Sequence, residues 1–548
     1  MSKLFDELLK KRGFGQSFLK PRYDALPSPW LLPDMRKAIE RIKIAINKHE
    51  RIIVYGDYDA DGVTASTLIG DALRLAGIQE ITTMLPDRFK DGYGMSKRVV
   101  EHARKLGVRL VITVDCGSGN KDIVELLRDE GVDTIVTDHH ECSEDLPEAV
   151  AVVNPKRRDV YECVEDFEEN AEKLIELKSL AGVGVAFMLV RAMVEEGMIP
   201  EGQEKWLLDL VLIGTICDSM RMNEMNHILC FYGMKVMEKT RRFGLKELML
   251  SARTTRINSD SIGFQIGPRL NAAGRMASAN IAFDLLNASS KAEGARLASE
   301  LEELNRERKN QQAIAMKEFK ERGLPDDKVL VLKGNWHEGV LGIIAGKLVE
   351  DYGRPAFALT RVEGGVWKGS GRSFGDFSLA EALKACSNEI MGGGGHAGAA
   401  GVKILDERLE DFRKRINEYY DSLGLVDQER FLKQEADIDV YRLGDFTLEF
   451  MEELRQLEPF GVGNEVPVFG LRDVFVLDRS LMGMEQQHLR LLVRGEDGKT
   501  LKLVAFNAPE SWRNINGGQR IDVLINLEEN EWNGLKSIEG RILDIRGC

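Results

Sequence analysis

Three aspartates at alternate positions, Asp57, Asp59 and Asp61, are packed into the Gly-flanked stretch Gly56-Asp-Tyr-Asp-Ala-Asp-Gly62. Carboxylates crowded this closely repel one another unless cations neutralise them. Further candidates follow at Asp115, at Asp138-His139-His140 and at Asp218. Oxygen donors with a few imidazoles suit a hard or borderline divalent ion, Mn²⁺ or Mg²⁺. A single Asp after a strand is commonly a helix cap, and a lone His is commonly a satisfied surface residue. Four such clusters, each closing an apolar run, point instead to metal-dependent hydrolysis.

The elements that must position these groups are the apolar runs 51–55, 110–114, 134–137 and 210–216, all read here as strands. In a sheet built from alternating strands and helices, groups beyond the carboxyl ends of the strands converge on one crevice. From residue 52 to about 154, β runs alternate with helical patterns at 63–76, 96–106 and 121–130, which predicts a parallel α/β sheet. Residues 1–50 read as a helical lead-in and 51–290 as the catalytic domain. The charged stretch 162–178 reads as an inserted loop plus helix, and Gly182 and Gly184 as close helix packing rather than a phosphate loop. The span 291–325 holds a charge-laced helical pattern of the kind that bridges domains. A second, smaller α/β unit is expected over 326–422. After a linker near 423–429, short β runs broken by Gly and Asn over 430–548 predict a small β-barrel.

The composition is that of a soluble protein: 548 residues, 43% hydrophobic and 30% charged. No apolar run approaches the roughly 20 residues a spanning helix needs, no membrane is expected, and the N-terminus lacks a signal pattern. Seven cysteines are scattered singly, which argues against a disulfide framework or a zinc site and suits a reducing cytoplasm. Cys116 and Cys217 read as small packing residues. A net charge of −14 excludes a generally basic nucleic-acid binder but leaves room for a local basic groove.

The motifs Gly56–Gly62, Val114-Asp-Cys-Gly117, Asp138-His-His140 and Gly214-Thr-Ile-Cys-Asp218 resemble the four phosphoesterase motifs of the DHH superfamily. The stretch Gly392-Gly-Gly-Gly-Gly-His-Ala-Gly-Ala-Ala-Gly401 resembles the signature of the DHH-associated domain. Gly267-Pro-Arg-Leu-Asn-Ala-Ala-Gly-Arg275, Trp336-His-Glu-Gly-Val-Leu-Gly342 and Leu457-Glu-Pro-Phe-Gly-Val-Gly-Asn464 are similar to segments of the RecJ family of bacterial single-strand-specific exonucleases. The resemblance runs in order over nearly the whole chain. It implies a DHH phosphoesterase domain, a DHH-associated domain and a C-terminal OB-type barrel. The implied activity is two-metal hydrolysis of single-stranded DNA from a 5′ end, in repair and recombination. Small DHH phosphodiesterases acting on short RNA or cyclic dinucleotides are the alternative, but they lack the barrel and carry a metal-binding His where this chain has Tyr55.

The resemblance further implies Asp57, Asp59, Asp61, Asp115, His139 and Asp218 as ligands of two divalent ions. Asp115, alone at its strand end, is the choice for the bridging carboxylate. His140 is expected to face the scissile phosphate or leaving group, with Asp138 orienting the histidine pair. Substrate grip is expected from Arg88, which follows a strand, and from Arg269, Asn271 and Arg275, read as a Gly- and Pro-spaced loop. Ser370 and Arg372 suit a terminal phosphate, and His396 lies in a Gly-rich loop that a nucleotide can approach closely. Phe460, Trp512 and Trp532 are stacking candidates, although core packing suits them better. In the barrel, acidic residues outnumber basic ones, so it reads as a surface for protein as readily as for DNA. The expected partners are single-stranded DNA and either a single-strand-binding protein or a helicase, with the chain itself a monomer.

Overall fold

The computed structural model describes residues 2–161, 167–426, 428–532 and 534–546. Ile52–Tyr55 (β1), Ile81–Met84 (β2), Leu110–Val114 (β3), Asp133–Thr137 (β4) and Ala151–Val153 (β5) form a parallel sheet in the order β2-β1-β3-β4-β5. Helices cover both faces, which is why β1 and β3 are buried throughout and almost wholly apolar, with Thr113 the polar residue in β3. Ala60–Leu75 and Gly182–Glu195 pack in the core on one side. Arg98–Leu106 and Lys121–Asp129 cover the other, through Val99, Ala103, Ile123 and Leu127.

The run at 210–216 is not a strand. Leu208–Cys217 is an α-helix buried on nearly every side, and Asp218 is its C-cap. Arg269, Asn271 and Arg275 likewise lie on a helix, Gly267–Met276, and not in a loop. Its Pro occupies the first turn, where a missing N–H costs nothing. Within the 162–178 insertion a helix spans Phe167–Leu177, and residues 162–166 lie outside the described residues.

The 32-residue helix Lys291–Arg322 packs Leu297 and Leu301 into the first core and Ala315 and Phe319 into the second. The second sheet comprises Leu330–Gly334 (β6), Ala356–Val362 (β7), Val366–Arg372 (β8), Gly392–Gly395 (β9) and Ala399–Leu405 (β10), in the order β6-β7-β8-β10-β9. Ser370 and Arg372 are therefore strand residues. The four glycines form an exposed edge strand rather than the expected Gly-rich loop, with His396 in the turn that follows.

The third sheet is built from Ile438–Val440 (β11), Phe469–Met482 (β12), His488–Arg494 (β13), Thr500–Ala505 (β14), Arg520–Trp532 (β15) and Leu535–Arg546 (β16). Pairing of β12 with both β13 and β15 closes an OB-type five-stranded barrel through β14 and β16. Trp512 packs against the barrel core, while the side chain of Trp532 lies outside the described residues.

The N-terminal segment divides between two bodies. Phe5, Leu8, Leu9, Phe18 and Leu19 are buried in the barrel core, whereas Leu32, Met35 and Ile39 belong to the catalytic core. Arg12 fixes the first half with an ion pair to Asp437 at 2.7 Å and a 2.6 Å bond to the Glu465 carbonyl. Among the described residues no helix is long and apolar enough to cross a membrane.

Candidate active site

The strand order reverses between β1 and β3, so a crevice opens beyond their carboxyl ends. Asp57 follows β1, Asp115 follows β3, and Asp138, His139 and His140 follow β4. Asp115 sits at φ 59, a left-handed conformation that a non-glycine residue adopts at some cost. Asp59 caps the helix Ala60–Leu75, accepting from the N–H groups of Asp61 (3.0 Å) and Gly62 (3.1 Å). Asp61 in turn accepts from the N–H groups of Gly182 (2.7 Å) and Val183 (2.9 Å), the exposed donors at the start of the next helix. A Cβ on Gly182 would lie 2.4 Å from that of Asp115, so only glycine lets this helix end approach both carboxylates.

His139 Nε2 lies 3.1 Å from Asp115 Oδ1, 3.5 Å from Asp218 Oδ2 and 3.8 Å from Asp61 Oδ2. Two donor triads result, Asp61–His139–Asp218 and Asp57–Asp59–Asp115, each with its donor atoms within 4.8 Å of one another. Asp115 and His139 also group with His140, which ties the triads together. Burial and the neighbouring carboxylates raise the pKa of Asp57 and Asp115 well above the usual range. The same causes push Asp61 to about 7 and Asp218 to about 8. Burial and the neighbouring His140 lower His139 to about 3, leaving it the neutral imidazole that metals bind.

Asp138 behaves oppositely. Burial would raise its pKa, but the hydrogen bond to His140 and the charge of that ring prevail and hold it low. Its Oδ1 accepts from His140 Nδ1 at 2.9 Å and from the His139 N–H at 2.8 Å, and its Oδ2 accepts from the Ser118 N–H at 2.9 Å. Burial lowers the pKa of His140, but Asp138, with Asp218 and Asp61, outweighs it and the net shift is upward. Tyr93, without a role in the sequence reading, places its hydroxyl 2.8 Å from His140 Nδ1 and donates to the Asp115 carbonyl at 3.3 Å.

Facing this acidic cluster is a cationic one. The Arg88 guanidinium stacks on the Tyr58 ring at 4.7 Å. Arg275 is pushed down to about 10 by burial and by Arg88, with Arg372 adding to the effect. Arg372 is lowered by burial and by Arg88. Three guanidiniums thus crowd together, and among the described residues none has a carboxylate at ion-pair distance. Arg372 donates to the Gly371 carbonyl at 2.8 Å and to the Ser370 hydroxyl at 3.2 Å. Gly339 and Gly342 permit the closeness: a Cβ at either would meet the Arg275 carbonyl or the Arg372 guanidinium. A cavity of about 490 Å³ continues past Cys217 and Ser219, with Arg275 and Arg308 for charge and Phe264 and Phe460 as apolar walls.

Two expected substrate contacts are otherwise engaged. Arg269 pairs with Glu302 of the connecting helix at 2.5 Å and donates to the Gln265 carbonyl at 2.7 Å, a structural role. Asn271 accepts from the Ala60 N–H at 2.9 Å and so positions the Asp59–Asp61 loop, while still lining the cavity. His396 is exposed, and among the described residues no side-chain contact ties it to the cluster. Tyr55 is buried and donates to the Gly94 carbonyl at 3.2 Å.

The chain matches the DHH family, N-terminal domain, over residues 51–215, the DHHA1 domain over 326–422 and the RecJ OB domain over 438–544. It is 36% identical to the single-stranded-DNA-specific exonuclease RecJ of Bacillus subtilis (strain 168), covering 99% of this chain and 67% of that one. Identity to the RecJ of Escherichia coli (strain K12) is 33%, over 93% of this chain and 90% of that one. The chain belongs to the RecJ family of single-stranded-DNA-specific exonucleases. The enzyme class expected from the sequence is therefore its class.

A crystal structure of RecJ from Thermus thermophilus in complex with Mn²⁺ is similar to this RecJ-family chain, with a TM-score of 0.83, 27% identity, and coverage of 99% of this chain and 76% of that one. A second structure of that protein, in complex with Mg²⁺, gives a TM-score of 0.77 at 25% identity, covering 99% and 74%. The residues present here fit such an ion. Asp57 Oδ1, Asp115 Oδ1 and His139 Nε2 are buried without a hydrogen-bond partner, a costly state that a bound cation relieves.

Proposed function

We propose that this chain is a 5′→3′ exonuclease that removes nucleotides from single-stranded DNA by two-metal-ion phosphodiester hydrolysis. The observation that carries the reading is the pair of donor triads facing three guanidiniums across one cleft. Asp61, His139 and Asp218 would hold one ion, and Asp57 and Asp59 the other, with Asp115 between them. Ions bound there supply charge neutralisation at the phosphate and an activated water. Everything else is the work of the chain. The helix start at Gly182 fixes Asp61, and Asp138 orients His140, whose Nε2 is left for the scissile phosphate or leaving oxygen.

Polarity rests on the cationic side. A terminal phosphate is the group that distinguishes a 5′ end by charge, and Arg88, Ser370 and Arg372, with Arg275 on the approach, suit it. The remainder of the strand would run along the cavity past Phe264, toward the barrel. A path lined by Phe264 and Phe460 offers exposed bases a stacking surface, which favours single strands over duplex. The acidic barrel suits a protein partner, a single-strand-binding protein or a helicase. The chain would act as a monomer in the cytoplasm, in DNA repair and recombination.

The test is degradation of 5′- and 3′-labelled single- and double-stranded oligonucleotides with Mn²⁺, Mg²⁺ or EDTA. Mononucleotides released first from the 5′ end of single strands, and only with a divalent ion, are expected. Attack from the 3′ end would overturn the polarity, and full activity in EDTA would overturn the metal reading.

A further inference from the structure

A second cavity, of about 630 Å³, lies at the opposite ends of two helices that reach the acidic cluster. Ala60–Leu75 carries Asp61 at its start and Asp71 and Arg74 at its end. Leu208–Cys217 runs from Asp209 to the C-cap Asp218. At 1.5 Å per residue, ten residues of helix put the cavity about 15 Å from the catalytic carboxylates. It is a separate place in the same domain.

Its floor is an ion network. Arg242 pairs with Asp71 at 2.7 Å and approaches Asp209 at 3.6 Å, and Thr240 donates to Asp209 at 2.6 Å. This network holds the walls but satisfies itself. The wall does not: the Arg241 guanidinium lies 3.6 Å over the Trp206 ring, is exposed, and among the described residues forms no ion pair. Phe243 and Leu75, 43% and 42% exposed, supply apolar surface at the same cavity. Arg74 at the rim pairs with Asp71 at 2.8 Å and so belongs to the network, leaving Arg241, among the described residues, as the cation free for a ligand. Of the charged lining residues, three are arginines and two are aspartates, so the cavity is locally positive in a chain of net charge −14.

A stacked guanidinium presents its edge donors in the plane, where a phosphate binds in a fork. An exposed ring beside it suits a flat base, and the volume falls in the range of small-ligand sites. We propose that the Arg241–Trp206 cavity binds a nucleoside 5′-monophosphate unit. The unit has two sources, the free mononucleotide released by hydrolysis and a nucleotide within a strand, and both present the same phosphate and base.

The test uses the full chain in EDTA, so that no strand is cut. Deoxyadenosine 5′-monophosphate is titrated while tryptophan fluorescence is followed, with inorganic phosphate and deoxyadenosine as partial ligands. A saturable quench is expected, lost in Trp206→Phe and weaker with either partial ligand. Arg241→Gln should raise the Kd at least about tenfold, the scale of one charge-assisted bond, and Arg241→Lys should give a smaller loss. Arg372→Ala should leave the Kd unchanged. A 5′-hydroxyl phosphorothioate oligonucleotide separates the sources. Tighter binding than the mononucleotide, still dependent on Arg241, identifies a strand, and weaker binding identifies the free product. The proposal is overturned if neither ligand binds, if Arg241→Gln with wild-type thermal unfolding binds normally, or if Arg372→Ala abolishes the signal.

Discussion

Replacing Arg372 with Ala separates a phosphate receptor from a structural arginine. In the free protein this side chain stabilises little: it donates to a carbonyl and a hydroxyl that water can serve instead, and Arg88 repels it. Its removal should shift the unfolding free energy by no more than about 1 kcal/mol in either direction. With a terminal phosphate present, the same guanidinium would contribute one charge-assisted contact worth about 1.5–3 kcal/mol, equivalent to about 10- to 150-fold. The assay is kcat/KM for matched 5′-phosphorylated and 5′-hydroxyl oligonucleotides, alongside thermal unfolding. The phosphorylated substrate should slow by the full factor and the hydroxyl substrate far less. Equal slowing of both, or a loss of several kcal/mol in stability, would refute the reasoning.

Asp115→Ala removes the carboxylate between the two triads, so cleavage should fall at least about 10³-fold while the metal-free protein unfolds at nearly the same temperature; near-normal cleavage would sink the bridging assignment. Gly182→Ala places a methyl group 2.4 Å from the Asp115 Cβ and drives the helix end off Asp61. Mn²⁺ affinity measured by calorimetry should drop about 10- to 100-fold, and an unchanged isotherm would contradict the packing argument. His227, buried in a stack with Phe18 at 3.9 Å, has its pKa lowered by burial from 6.5 to about 4. Its folded form binds fewer protons than its unfolded form between those values, so stability is full above pH 6.5 and falls as pH drops toward 4. The loss amounts to about 3 kcal/mol. In His227→Phe this component of the acid loss should vanish from thermal melts at pH 4.5 and 7.5, and an identical pH profile would rule it out.

The strands β1, β3 and β4 were legible because a buried parallel strand is a short apolar run, and each ends in a polar cluster. The same logic misread 210–216. A helix buried on all sides is also a continuous apolar run, and composition alone does not separate the two. The Arg269–Arg275 segment was misread because Gly-Pro suggests a loop, although Pro is equally at home in a first helical turn. The acidic and histidine groups of the site were visible in short motifs. Their supports were not: the Gly182 N–H that holds Asp61 comes from 121 residues away, and Tyr93 reaches His140 across 47. Such contacts depend on the closed fold. Only the Gly-x-Gly at 182–184, opening a helix, carried a trace of it. The clasp of residues 2–19 on the barrel had no local signal, since an amphipathic helix does not name its partner.

That clasp makes the order of the polypeptide differ from the order of its physical parts. The barrel is attached by the chain near residues 423–430 and again by its core residues Phe5, Leu8 and Phe18, whose segment continues into the catalytic domain, with side contacts such as Arg256 to Glu458 at 2.8 Å between the two bodies. Backbone and clasp together form a closed circuit. A protease nick near 423–430 would open only one side of it, and the other would keep the severed barrel at an effective concentration far above that in solution. The two fragments should then elute as one particle, and separate more readily when Phe5→Asp or Leu8→Asp loosens the clasp. A partner that pulls on the barrel would, by the same circuit, load the first helix and through it the core beneath the sheet.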